Sequence, residues 1–341
     1  MQTIVSGKRK LPAIEYCRIL ASVFVVFIHF EFPGVTGDLV SCLARFAVPF
    51  FFILSGYFAY PAEEAAIKKR ILRVLKINLY ATALYILWGS YKARYVYQGS
   101  RLFWLMEELS IANLAKWIFN NVNPFAGHLW YLSALLVCYL VLFLSLRWME
   151  GRRHYQPLYT AGFFLYSIHF VLSTLSGAAD LEMPILLYRN ALLFGFPMFV
   201  LGIFLHNYQE KLIRLYRLTA TKLVLLVLAG IALSILQWVG IGRTELPAGT
   251  LLEAAALLLL LIVLPQSNKV PGFVSRLGDI STYVYVTHPF WGQLYSLYGA
   301  SHPDALGQSA EAWLRPVIVV LISVLTGILW TFLKNFSKRK F

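Results

Sequence analysis

The chain has 341 residues, of which 59% are hydrophobic and only 13% are charged, and its formal net charge is +14. Water-soluble domains carry about a quarter charged residues, so this composition excludes an ordinary soluble domain and predicts an integral membrane protein. The cations lie in short clusters between apolar segments rather than in one basic patch, which argues against a nucleic-acid partner.

Ten apolar windows are long enough to cross a lipid bilayer, which predicts an all-α protein with about ten transmembrane helices. They lie near residues 13–32, 43–60, 74–91, 129–147, 157–176, 188–206, 220–239, 249–265, 279–297 and 314–333. The ninth window contains His288, Pro289 and Gln293, as is typical of a helix that lines a cavity.

The charges of the loops predict the orientation. Of the 30 lysines and arginines, 21 fall in loops on one side of the alternating windows, so both termini are predicted to be cytoplasmic in a cell (inner or plasma) membrane. The long outer loop, about 93–127, has apolar residues at helical spacing and is predicted to lie along the membrane surface. We expect one membrane domain over residues 1–341 without a separate soluble domain.

The first window carries Arg18 near its start and His29 eleven residues later, on nearly the same face and about 16 Å apart. Arg18 either extends to the lipid head groups or contacts an anionic ligand from the cytosol. His29 either forms an interhelical hydrogen bond or acts as a general base. Glu31 is a candidate carboxylate beside it, although on a regular helix it would face away from His29.

Further candidates lie in the second window and in the segment just before the third. Ser55 precedes Gly56 in an aromatic run and could bind substrate or bond to its own helix. Arg70 and Arg73 share a helical face at the membrane surface. Anchoring by positive charge explains this pair, but a phosphate-rich cytosolic ligand would use the same arginines.

Later windows supply the remaining candidates for substrate binding, at the outer starts of the fourth and sixth windows and within the ninth. They are His128, Arg189, Asn190, Tyr285 and His288. His29, His128 and His288 lie on three separate helices without the spacing of a metal-binding motif, so no metal site is predicted.

These residues resemble the membrane-bound acyltransferase-3 family. The resemblance is carried by Arg18 and His29 with ten residues between them, then by FFFILSG, RILR, HLWYLSAL at 128–135 and LGDISTYVYVTH at 277–288. The blocks stand in the family's order over about 11–290. Five blocks in this order, together with a matching helix count, form a specific pattern.

The resemblance implies transfer of an acyl group, commonly acetyl, from cytosolic acyl-CoA to a hydroxyl of a glycan, cell-envelope component or other small acceptor. Such O-acetylation includes polysaccharide modification. His29 matches the family's catalytic histidine, with Glu31 the nearby acid. Arg18, Arg70 and Arg73 match basic residues on the CoA side.

One branch of the family is particularly similar. RILASVFVVFIH, and FGFPMFVLG after Arg189 and Asn190, resemble the branch that includes the membrane domain of vancomycin-resistance serine racemases, which is linked to L-serine supply. The alternative function is therefore a transporter or binding protein for a small polar solute such as L-serine, with Arg189, Asn190 and His128 as its site. The sequence leaves the acceptor, the acyl-chain length and the oligomeric state open.

Overall fold

The computed structural model describes residues 11–148, 155–178, 184, 187, 189–265, 272–301 and 308–339. Within these ranges the regular structure is entirely helical. The α-helices are α1 Pro12–His29, α2 Gly34–Ala44, α3 Ala47–Tyr57, α4 Glu64–Tyr91, α5 Arg101–Glu108, α6 Ile111–Asn120, α7 Trp130–Trp148, α8 Gln156–Ala178, α9 Phe196–Leu215, α10 Ala220–Ile241, α11 Thr250–Val263, α12 Leu277–Ser301 and α13 Gln308–Arg339. Short π-helical turns, Lys92–Val96 and Ala191–Gly195, adjoin α4 and α9.

Each of the ten predicted windows coincides with helix. Eight helical segments of the described chain are long and apolar enough to cross a membrane, and the second of them, Gly34–Tyr57, comprises α2 and α3. The other two windows are α11, which is apolar but has only 14 residues, and α12, which has 25 residues and several polar side chains. The all-α membrane fold is confirmed, whereas the cytoplasmic placement of both termini stays a prediction.

The described chain divides into two compact units. The first consists of Met1–Ala44, Thr219–Val224 and Ala256–Phe341. In this unit α12 packs against both α1 and α13. Its core is made of buried aliphatic side chains, namely Val26, Val274, Leu277, Ile280, Val284 and Val319. Burial of these side chains fixes α1 beside α12, which positions the histidines described below.

The second unit consists of Arg45–Leu218 and Leu225–Ala255, and α3 crosses α9 there at backbone contact. A methyl group on Gly56 would overlap the carbonyl oxygen of Phe199. A methyl group on Gly202 would in turn overlap the carbonyl oxygen of Ile53. Glycines on both helices therefore permit an approach that no larger side chain allows, as is common between membrane helices.

The long loop near 93–127 contains α5 and α6, as its periodicity predicts. Apolar side chains such as Phe103 and Ile118 stay exposed in the protein alone, which suits a segment on a membrane surface. Asparagines that follow α6 attach the loop to other segments of the second unit. Asn121 Oδ1 accepts a hydrogen bond from the Ala191 amide at 2.8 Å, and Asn123 Nδ2 donates to Thr82 Oγ1 at 2.7 Å.

Candidate functional site

Two histidines of the first unit lie side by side. The ring of His29, the last residue of α1, has its centroid 5.0 Å from that of His288 in α12, with the planes tilted by 41°. His29 is exposed, whereas His288 is fully buried. The pair thus combines an accessible imidazole with one whose orientation is fixed by its surroundings.

A proline determines the proton position on His288. Pro289 has no backbone N–H, so the Tyr285 carbonyl one turn earlier lacks its usual helical donor. His288 Nδ1 lies 2.9 Å from that oxygen and 3.1 Å from the Val284 carbonyl oxygen. Because carbonyl oxygens only accept, Nδ1 carries the proton, and the lone pair of the neutral ring is on Nε2.

Arg18 of the same unit is paired with a carboxylate. Its Nη1 lies 3.4 Å from Glu15 Oε2, and both side chains are about three-quarters buried (27% and 21% exposed). A side chain on Gly278, at the start of α12, would overlap this ion pair. The Arg18 carbonyl oxygen also accepts a hydrogen bond from Ser281 Oγ at 3.1 Å. The LGDIS stretch therefore holds the part of α1 that carries Arg18.

The other first-unit candidates take different positions. Glu31 is exposed and lies beyond the end of α1, so the helical argument that would turn it away from His29 does not apply. Tyr285 is buried in α12, with its ring centroid 6.3 Å from that of His288. The structure therefore brings Tyr285 beside the histidine pair.

Ser55, Arg70 and Arg73 belong to the second unit. Ser55 Oγ donates to the Phe51 carbonyl oxygen at 2.7 Å, which is the bond to its own helix that the sequence allowed. Arg70 Nη2 donates to the Phe58 carbonyl oxygen at 2.6 Å, and Arg73 is exposed. These contacts leave the proposed binding roles as predictions.

His128, Arg189 and Asn190 lie in the second unit as well. His128 is buried, with its ring edge-on to Tyr85 at 5.0 Å. Asn190 Oδ1 accepts from the Leu192 and Leu193 amides at 3.0 and 2.9 Å. Asn190 thus caps the π-helical turn that leads into α9.

Arg189 takes part in a three-charge cluster that the sequence did not predict. Glu245 Oε2 accepts from Arg45 Nη1 at 2.8 Å, and Glu245 Oε1 lies 3.6 Å from Arg189 Nη1. The Arg189 guanidinium also lies over the ring of Trp130, 5.6 Å from its centroid. One carboxylate, 10% exposed, therefore balances two arginines.

We expect Glu245→Gln to lower the free energy of unfolding by about 2–4 kcal/mol, because it leaves two poorly solvated arginines without their carboxylate. Glu210→Gln is the matched control, since Glu210 and Arg214 form an ion pair that is about two-thirds exposed. That control should cost less than about 1 kcal/mol. Denaturant unfolding in detergent measures both, and equal losses would refute the structural role of Glu245.

Sequence reasoning missed both acidic partners. Glu15 could have been found, because it stands three residues before Arg18 on the same helix. Glu245 and Arg45 are 200 residues apart, so no local pattern connects them. Likewise, His29 and His288 were recognised separately, but their pairing depends on the packing of α1 against α12.

The comparisons with known proteins agree with the predicted resemblance. A family model described as an acyltransferase domain, acyltransferase-3, matches residues 11–334. A serine/alanine racemase of Enterococcus gallinarum is 29% identical over 147 residues, which are 39% of this chain and 19% of that protein. An amino-acid racemase of Enterococcus faecalis is 29% identical over 224 residues, 60% of this chain and 30% of that protein.

The matched region spans less than a third of either relative. No solved structure is significantly similar to the chain. The family match extends over segments of both units and includes every residue of the candidate site. The resemblance to the racemase-containing branch is confirmed by the two relatives. The chain belongs to the acyltransferase-3 family of multi-pass membrane proteins.

Proposed function

We propose that this protein transfers an acyl group, acetyl in the simplest case, from cytosolic acyl-CoA to a hydroxyl group of a glycan, cell-envelope component or other small acceptor. The observation that supports this most is the exposed imidazole of His29 beside the buried His288, within a chain of the acyltransferase-3 family. The orientation with cytoplasmic termini in the cell membrane is part of this proposal.

His29 is the proposed general base. It takes the proton of the acceptor hydroxyl as the oxygen attacks the thioester carbonyl carbon. The tetrahedral intermediate then expels the CoA sulfur, which receives the proton from His29. The products are an ester and free CoA. His288 is a positioning residue in this scheme, because its ring packs against His29 and its own Nδ1 is held by the backbone.

Arg18 of the first unit is proposed to contact a phosphate of the donor, and Arg70 and Arg73 of the second unit are separate candidates for phosphate contacts. Arginine forks suit phosphate oxygens, and one charged hydrogen bond contributes about 1.5–3 kcal/mol. Arg18 retains 27% exposure of its side chain beside Glu15, and Arg73 is exposed. The experiment below tests Arg18.

The test is release of the CoA thiol from acetyl-CoA by the purified protein in detergent, with water in place of the acceptor hydroxyl, so that the products are acetate and CoA. The wild type should release thiol, and Arg18→Ala should raise KM for acetyl-CoA about tenfold or more, because it loses a charged contact. Arg94→Ala is the control, since it removes an exposed arginine outside the proposed sites. A folded wild type that neither binds nor turns over acetyl-CoA would refute the proposed donor.

A second candidate function is transport or binding of a small amino acid. The names of the two Enterococcus relatives favour it, because both are amino-acid racemases. The proposed solute site is less well supported, because Asn190 caps its own turn and Arg189 is paired with Glu245. Uptake of labelled L-serine by proteoliposomes, together with no response to acetyl-CoA, would favour this function over acyl transfer.

A further inference from the structure

Arg315, near the start of α13, carries a charge that the function described above does not use. Its Nη2 donates to Ser296 Oγ on α12 at 2.8 Å. Its guanidinium also lies over the ring of Phe30, 5.1 Å from the centroid. Both contacts belong to the first unit and hold the guanidinium in one place.

This arginine differs from three others in the way its charge is balanced. Arg18 is paired with Glu15, and Arg45 and Arg189 share Glu245. Among the residues that the structure describes, Arg315 forms no ion pair. Its buried Nε has no hydrogen-bond partner there, as is also true of Arg18 Nε. The Glu311 carboxylate, one turn earlier on α13, lies beside Gly299 instead.

An unbalanced guanidinium within an apolar segment is unfavourable by itself. Residue 315 falls within the membrane-spanning segment Ser309–Lys334. A cation in such a segment is costly unless a partner neutralises it, and a buried N–H without an acceptor adds to the cost. A carboxylate or phosphate bound to the guanidinium would remove both penalties, because the arginine fork matches their oxygens.

Arg315 is connected to the histidine pair through Phe30. Phe30 follows His29 directly, and its ring lies edge-on to His288 with centroids 6.4 Å apart. Gly292 makes room for the ring, since any side chain there would overlap it. His288, Gly292 and Ser296 follow at intervals of four residues on one face of α12. Along the axis of that helix, His288 and Ser296 are separated by about 12 Å.

We propose that Arg315 binds an anionic oxygen group, a carboxylate or a phosphate, of the acceptor whose hydroxyl His29 deprotonates. The inference rests on the proposed acyl transfer and adds the chemical class of its acceptor. The acceptor would then carry two functional groups, a hydroxyl that lies at the histidine pair and an anion that lies further along α12. A neutral alcohol of the same size would lack the second contact and bind more weakly.

The test compares D-glucuronate with D-glucose, which differ by a carboxylate in place of a hydroxymethyl group. Binding is measured by ligand-dependent thermal stabilisation of the full chain in phosphatidylcholine nanodiscs. The wild type should bind glucuronate at least tenfold more tightly than glucose. Arg315→Met should reduce this preference to less than twofold. Arg315→Lys should give an intermediate value, because lysine keeps the positive charge but lacks the paired N–H donors of the guanidinium.

Two further variants control the comparison. Arg94→Ala removes an exposed arginine and should keep the full preference for glucuronate. Ser296→Ala removes the acceptor that orients Nη2 and should lower the preference about threefold or more, which provides a second test if Arg315→Met does not fold. A preference that is absent from the wild type, or that persists in Arg315→Met, would overturn the proposal.

Two parallel measurements separate the remaining outcomes. Nanodiscs with phosphatidylglycerol test whether a lipid head group is the anion. If phosphatidylglycerol stabilises the protein through Arg315 and glucuronate is not preferred over glucose, the anion at Arg315 is a lipid head group. That result would overturn the proposal that the anion belongs to the acceptor. Thiol release from acetyl-CoA is measured on the same samples. If it is absent while glucuronate binding depends on Arg315, the anion site stands and the proposed acyl transfer fails.

Discussion

Replacing His29 with alanine is expected to slow acetyl transfer from acetyl-CoA by about 10²–10⁴-fold, the usual contribution of a general base. The loss should fall on kcat, because the imidazole acts when the acceptor hydroxyl loses its proton and does not hold the donor phosphates. Single-turnover transfer of labelled acetyl groups measures the chemical step, and equilibrium binding of acetyl-CoA is measured on the same preparation.

Leu20→Ala is the matched control for that experiment. Leu20 lies on α1, as His29 does, and 52% of it is exposed, so its truncation changes the helix without touching the histidine pair. This control should retain most of the wild-type rate. A His29→Ala variant with more than a tenth of the wild-type kcat would show that His29 is not the base.

Replacing Gly202 with alanine is expected to lower the free energy of unfolding by about 3 kcal/mol. The added methyl group would meet the Ile53 carbonyl oxygen and the Tyr57 amide nitrogen. Backbone atoms cannot rotate away as a side chain can, so α3 and α9 must separate along their contact. Denaturant unfolding in detergent measures the loss.

Gly240→Ala on α10 is the control for that measurement. It makes the same glycine-to-alanine change in a helix where the methyl group meets no neighbouring helix of the described chain. Apart from its neighbours and the backbone of its own helix, no heavy atom of the described residues lies within 4 Å of the position that a methyl group at Gly240 would occupy. Alanine favours a helix over glycine by about 1 kcal/mol, so this control should be neutral or stabilising. Equal effects of the two substitutions would contradict the close crossing. Combining Gly202→Ala with Gly56→Ala should cost less than the sum, because one separation relieves both overlaps.

The helices could be predicted from the sequence because apolar length is a local property. Each of the ten windows coincides with helix in the structure. The polar ninth window corresponds to α12, which packs against both α1 and α13 in the first unit. The histidine on that helix was selected because a membrane helix rarely carries one without a role. Its contact with His29 could not be predicted, since the register between α1 and α12 depends on the packing of Val26, Ile280 and Val284.

The charged partners were the least predictable part of the site. Arg189 was predicted from sequence to bind a solute, and the structure shows it sharing Glu245 with Arg45. Arg315 was not singled out from the sequence. Its contacts with Ser296 and Phe30, in place of an ion pair with Glu311 four residues earlier, become visible only when the helices are packed. A linear pattern shows that a charge is present but not whether a distant carboxylate neutralises it.

Pro289 has a consequence for the movement of protons. In a relay, a proton arrives at one imidazole nitrogen and leaves from the other. His288 Nδ1 donates to the Val284 and Tyr285 carbonyl oxygens, which accept a hydrogen bond but do not carry a proton onward. As long as these bonds persist, a proton that reaches Nε2 of His288 leaves again from Nε2. The buried imidazole therefore exchanges a proton at one nitrogen only, as a positioning partner of a general base would, whereas a relay needs both nitrogens.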